Sequence, residues 1–327
     1  MSDQVLLTTT VGSFGKPDYL QKARNANARG KLGESELTEL ERKATEEWIR
    51  RQERLDLDIL VDGEMYRGDM VAYFAERLDG FRLGGLVRSY GNRYYHKPII
   101  ASKVARPKPM TVDWFRFSQS LTDRPVKGML TGPYTMLDWS YNEAYKTRRD
   151  AALALAEVVR QEAEDLEAAG AKYIQIDEPA IHARPEEIEI AIEAMGVVTQ
   201  NLKAKTVSHI CYGDFAAIYP QVLDLPVDQL DLAMANYGYR WLDLFDRNPF
   251  TKELAIGIVD VHVHETESVE VAAEGIRKGL RYVSADKLWP HPDCGLKTRT
   301  IEESVEKCTA VVEATKVVRK ELAKVPA

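Results

Sequence analysis

The chain has 327 residues, 45% of them apolar, and 44 basic against 51 acidic side chains leave a formal charge of −7. That length admits one α/β barrel or two domains of about 150 residues, and an acidic balance without a basic run excludes a nucleic-acid backbone or an anionic membrane surface as the expected partner. No stretch reaches ~18 consecutive apolar residues, the first ten residues lack a leader pattern, and there are only three cysteines, so a cytoplasmic protein without a disulfide framework is expected.

In chain order, short apolar runs ending in polar or Gly/Pro-rich loops alternate with segments of helical period. The runs are Val5–Thr10, Asp58–Asp62, Val126–Thr131, Lys172–Asp177, Lys205–His209, Gln229–Ala235, Ala255–Val261 and a short one at Lys287–Pro290. Apolar stripes mark helices between and after them: Leu37, Leu40, Ala44 and Trp48; Val269, Ala273, Ile276 and Leu280; Ile301, Val305, Cys308 and Val312. Thr147 with Asp150 reads as a capping box, Gly170 as a C′ residue and Pro185 as a first-turn proline. Eight such strands predict a (β/α)8 TIM barrel formed as one domain over residues 1–327. The segment 80–124 breaks the rhythm and reads as a β-rich insertion carried by an early βα loop.

Nearly every predicted strand ends in a reactive or charged residue, and in a barrel these ends converge on the rim that carries active sites. His209 and Cys211 are two apart on an extended segment, so imidazole and thiolate project to one side and can share an ion. With Cys294, which closes another predicted strand, they make an S/N site suited to Zn²⁺ with a fourth position open, the catalytic pattern. Cys308 continues a helical stripe and reads as core. Asp260, His262 and His264 are expected on one strand face, with Asp260 orienting His262 for proton transfer and His264 belonging to the following loop. Glu64 and Asp177 are strand-end acids able to hold an ammonium, and the backbone of Val11, Gly12 and Ser13 with the Ser13 hydroxyl can hold a carboxylate; together they suit a zwitterionic amino acid.

These residues lie in segments similar to the C-terminal, catalytic half of cobalamin-independent methionine synthase: ThrThrThrValGlySerPhe (8–14), AspGlyGlu (62–64), LysGlyMetLeuThrGlyProTyrThrMetLeuAspTrpSer (127–140), IleGlnIleAspGluProAla (174–180), SerHisIleCysTyr (208–212), AspValHis (260–262) and LeuTrpProHisProAspCysGlyLeuLysThrArg (288–299). The resemblance spans nearly the whole chain in family order and corresponds to the stand-alone form of that module, the core methionine synthases. It implies zinc on His209, Cys211 and Cys294, homocysteine at Val11 to Ser13, Glu64 and Asp177, His262 as proton shuttle, and Trp139 and Arg93 beside the methyl donor. Two positions depart from the family. Asn236 stands where the family has its glutamate ligand, and Ala183 stands where folate-binding forms carry an acid. The donor implied is methyl-tetrahydrofolate, methylcobalamin or a corrinoid protein. The competing readings are alkylation of another thiol, as in epoxide:coenzyme M transferases, and a zinc or thiol-binding protein without turnover.

Overall fold

The computed structural model describes residues 5–88, 94–211 and 213–324. The N-terminal part holds helices α1 (Asp18–Ala28), α2 (Glu34–Leu55) and the single turn α3 (Ala72–Ala75), then the long strands β1 (Asp79–Arg88) and β2 (Tyr94–Ala105) and helix α4 (Val112–Ser120). From there strands and helices alternate: β3 (Gly128–Thr131), α5 (Pro133–Asp138), the short β4 (Tyr141–Asn142), α6 (Arg148–Ala168), β5 (Tyr173–Asp177), α7 (Ile188–Thr199), β6 (Lys205–Ile210), β7 (Gln229–Leu232), β8 (Glu253–Val259), α8 (Val269–Gly279), β9 (Leu288–Pro292) and α9 (Ile301–Leu322). One sheet has the order β3-β5-β6-β7-β8-β9, and β3 with β5, β5 with β6 and β8 with β9 pair in parallel. A second sheet, β1-β2-β4, draws β1 and β2 from the segment expected as a β-rich insertion and β4 from beyond it. After β2 the same segment runs into α4.

The chain divides into two compact units: Met1–Tyr66, Phe117–Lys127 and Asp231–Ala327 form one, Arg67–Arg116 and Gly128–Leu230 the other. In the first, α2 buries Ala44, Trp48 and Ile49, and the Trp48 ring stacks on Phe14 with centroids 4.0 Å apart while its indole N–H donates to the Gly15 carbonyl at 3.1 Å. This helix thereby holds the loop after Val11. Truncating a buried tryptophan of this kind costs about 3–5 kcal/mol. On α8, Gly279 lies flat against Ile256 of β8 and Leu288 of β9; an added Cβ would sit 3.1 Å from each. A full capping box, Thr300 with Glu303, starts α9. Cys308 is fully buried on that helix and burial pushes its thiol up to about 12, as a core cysteine requires.

Within the second unit α6 begins at Thr147, whose hydroxyl accepts the Asp150 N–H at 3.0 Å, and Gly170 follows it with φ +102°. Leu166 of α6 packs on Gly128 of β3. Pro185 opens the short 3₁₀ turn that runs into α7.

The two earliest predicted strands form no ladder. Leu6 takes a left-handed φ of 56°, and the Asp58 carboxylate accepts both the N–H and the hydroxyl of Thr8, at 2.7 and 2.8 Å. The Thr8 carbonyl accepts the Asp58 and Ile59 N–H groups at 3.1 and 3.0 Å, and the Thr9 N–H donates to the Pro290 carbonyl at 3.4 Å, so the segment meets its neighbours through isolated main-chain bonds and one side chain. Asp58–Asp62 retains a single bridge, Leu60 to Val126.

Glu178, directly after β5, is fully buried and caps α5: it accepts the Tyr134 N–H at 3.0 Å and the Thr135 N–H and hydroxyl, each at 2.7 Å. Gly132 makes room, since a Cβ there would meet the carboxylate at 2.2 Å. Burial is the largest effect on Glu178 and pushes its carboxyl up to about 7 from 4.5. Between those values the folded chain holds a proton that the unfolded chain has released, so this group stabilises most below pH 4.5 and the contribution disappears through pH 7. The melting-temperature gap between wild type and Glu178→Gln should therefore shrink from pH 5 to pH 8; a gap that widens with pH contradicts the raised pKa.

Candidate metal centre and substrate site

His209 lies on β6 and Cys211 one residue beyond its end, both buried, at 3% and 8% exposure. The extended backbone between them gives the two-residue spacing its common side. Cys294 follows β9 and is partly exposed. The ligand atoms of His209, Cys211 and Cys294 all lie within 4.8 Å of one another, the one group of three or more candidate metal ligands among the described residues. Two thiolates and an imidazole are donors that zinc accepts, and tetrahedral bonds of about 2.0–2.3 Å place ligands roughly 3.3–3.8 Å apart, so a shift of about 1 Å closes the group on one ion. The residues fit a metal.

The loop after Val11 is tied on two sides. Phe14 N–H donates to the Gly63 carbonyl at 3.1 Å, and Leu296 N–H donates to the Ser13 carbonyl at 2.7 Å. Gly295 lies so close that a Cβ would come within 2.2 Å of the Ser13 hydroxyl. Val11, Ser13, Glu64 and the segment of Cys294 are thereby joined within one unit. Glu64 takes a left-handed φ of 57°, held by its N–H to Asp62 at 2.9 Å, while the other Asp62 oxygen accepts the Tyr66 hydroxyl at 2.7 Å. Lys16, which the motifs did not single out, donates to the Glu64 carbonyl at 3.1 Å, and burial with nearby Lys297 and Arg24 lowers its pKa to about 7.

In the other unit Asp177 ends β5, 8% exposed, and accepts the Gln175 amide at 2.7 Å. The Glu178 N–H donates to the His209 carbonyl at 3.0 Å, which fixes the strand end that bears Asp177 beside the one that bears His209. Trp139 follows α5, half-buried, with the Tyr95 ring 6.4 Å away on β2. Arg93 and Tyr212 lie outside the described residues. His182 packs its ring on Gly213, where a Cβ would clash at 1.6 Å, and burial lowers its pKa.

The AspValHisValHis triplet differs from its expected form. β8 stops at Val259, so Asp260, His262 and His264 lie in a loop and share no strand face. Asp260 accepts the backbone N–H of His262 at 2.7 Å and donates its own N–H to Glu267 at 2.7 Å, so the carboxylate shapes the turn that presents the imidazole. His264 is exposed and meets Glu303 at 2.6 Å, as a loop residue does.

Asp293 was also missed. It is fully buried between β9 and Cys294, and its carboxylate accepts three main-chain N–H groups, those of Met234 and Ala235 at 2.9 Å and Asn236 at 2.7 Å. Burial raises its pKa to about 7. Asn236 therefore sits in a turn held rigidly after β7, and its side-chain oxygen is buried without a hydrogen-bond partner. Neither Glu178 nor Asp293 carries a sequence signal of burial; only adjacency to Asp177 and Cys294 could have drawn attention to them.

The family model described as the catalytic domain of cobalamin-independent synthase matches residues 6–317. The methionine synthase of Saccharolobus solfataricus is 41% identical over 320 residues, 97% of this chain and 96% of that one, and the methionine synthase of Sulfolobus acidocaldarius is 40% identical over 327 residues, 99% and 96% of the two chains. Among solved structures, a B12-independent methionine synthase from Shewanella sp. W3-18-1 in complex with selenomethionine superposes with a TM-score of 0.86 at 28% identity, covering 98% of this chain and all of that one. A protein from Listeria monocytogenes described as a putative vitamin-B12 independent methionine synthase has a TM-score of 0.79 at 19% identity over 96% and 99% of the chains, a likeness of fold alone. The fold class is accordingly the α/β, TIM-barrel type read from the sequence. No described helix is long and apolar enough to cross a membrane. The chain belongs to the cobalamin-independent methionine synthase family through its catalytic domain, and is a methyltransferase of the methionine synthase type.

Proposed function

We propose that this chain is a single catalytic module, its 80–124 segment an insertion, that transfers a methyl group to the sulfur of homocysteine at zinc held by His209, Cys211 and Cys294, acting in the reducing cytoplasm. The observation that carries the reading is the S/N/S group with ligand atoms within 4.8 Å, present on the frame of this family. Bound there, zinc supplies Lewis acidity that keeps a substrate thiol deprotonated, where a free thiol has a pKa of about 8.5. Cys211 and Cys294 as thiolates contribute two negative charges and neutral His209 none, which matches a divalent ion.

The remaining residues hold the amino acid. Glu64 and Asp177 receive its ammonium, and the main chain of Val11 to Ser13 with the Ser13 hydroxyl receives its carboxylate. Two acids suit an ammonium and repel a sulfonate, so homocysteine is favoured over coenzyme M. His262, presented by the Asp260 turn, moves the proton that a folate leaving group needs. Trp139, with Tyr95 beside it, forms the donor face, and Arg93 is assigned to the donor on the family resemblance alone. Asn236 in place of a glutamate, and Ala183 in place of an acid, favour a donor more reactive than methyl-tetrahydrofolate, a methylcorrinoid free or delivered by a corrinoid protein.

Zinc-loaded protein with homocysteine is expected to form methionine from methylcobalamin, with less or none from methyl-tetrahydrofolate; no methionine from either donor sinks the reading. Cys211→Ser and Cys294→Ser should each lose stoichiometric zinc by elemental analysis. Glu64→Gln should raise KM for homocysteine roughly 10-fold to 100-fold, the effect of one charge-assisted hydrogen bond. His262→Ala should impair any folate-dependent rate and spare the corrinoid-dependent one, because a corrinoid leaves without a proton.

A further inference from the structure

Resting on the metal site just proposed, we infer that Asp293 is a positioning residue, one that sets where the Cys294 thiolate and the Asn236 turn stand without itself binding substrate or metal. Its two oxygens divide the work. Oδ1 accepts the N–H groups of Met234 and Ala235, and Oδ2 accepts that of Asn236, so all three donors of the turn after β7 end on one side chain. The main chain of Asp293 is fixed as well, its N–H donating at 2.9 Å to the carbonyl of Val259, the last residue of β8. From below, Gly257 of β8 leaves the space the carboxylate fills; a Cβ there would lie 2.0 Å from Oδ1. One residue thus ties together the ends of β7, β8 and β9, and the next residue in the chain is Cys294.

The geometry makes the ligand's placement depend on that carboxylate. Cys294 is partly exposed and follows Asp293 directly in the segment beyond β9, with Leu296 tied to the Ser13 carbonyl on its other side, so the carboxylate sets one end of the segment that carries the thiol. An orienting partner of a metal ligand is commonly worth a factor of about 10 to 100 in metal affinity. The orphaned Asn236 oxygen belongs to the same clamp: a buried amide oxygen without a hydrogen bond is tolerated where its surroundings fix it in place.

Asp293→Asn keeps the shape and replaces one accepting oxygen with an NH₂ group, leaving one of the three N–H groups facing a donor. Gly257→Ala crowds both Oδ1 and the Cα of Asp293, 2.0 and 2.8 Å from the added Cβ, without changing the charge. Val311→Ala, in the fully buried core of α9, lowers stability away from the site. Each variant and the wild type are loaded with Co²⁺, their d–d absorption is recorded, and metal retention is measured against a chelator alongside the melting temperature. The expected result is altered cobalt absorption and about 10-fold weaker retention in both Asp293→Asn and Gly257→Ala, with Val311→Ala losing melting temperature and keeping the wild-type spectrum. Wild-type absorption and retention in Asp293→Asn overturn the positioning role while leaving the metal site standing. Failure of the wild type to take up one Co²⁺ overturns the metal site itself, and this role with it.

Discussion

Where parallel strands end, main-chain N–H groups that have lost their ladder partners must be satisfied inside the protein, and here buried carboxylates take them. Glu178 gathers the start of α5, and Asp293 gathers the turn after β7. Each stands next to a residue proposed to act on substrate or metal, Asp177 and Cys294. Chemistry and scaffolding are consecutive in the chain at both places.

The magnitudes indicate what such clamps are for. Taking a carboxylate out of water costs several kcal/mol, while hydrogen bonds to a charged group return about 1.5–3 kcal/mol each. Three bonds therefore roughly offset the burial. The raised pKa values agree, since both groups are held near 7, where the charged form has lost its ordinary advantage. What the arrangement yields is fixed geometry more than stability, and a site that must present sulfur and nitrogen donors to one ion depends on that.

The three candidate metal donors were legible in the sequence. His209 and Cys211 were readable as a pair because the period of a strand is local, and the caps at Thr147 and Gly170 were readable because capping needs only neighbours in sequence. The first two strands are shorter in hydrogen-bonded extent than the apolar pattern implies: Thr8 meets Asp58, fifty positions away, through its hydroxyl as well as its main chain, a contact no local pattern carries. The AspValHisValHis triplet was assigned one face on the assumption that β8 continued past Val259, and the hydrogen bonds of Asp260 to the loop end it there. Lys16 and Asp293 went unnoticed since a lysine or an aspartate reads as solvated until its surroundings are known.

Residue types and local periodicity determined the α/β character, the helix boundaries and the donors available for a metal. These properties come from backbone sterics and side-chain chemistry that each segment carries with it. Tertiary structure decided that Cys294 joins the other two candidate ligands, that Glu178 and Asp293 are buried clamps, and that Thr8 and Asp58 tie the opening segments together. Proximity and desolvation are set by partners far away in the chain, and no local pattern encodes them.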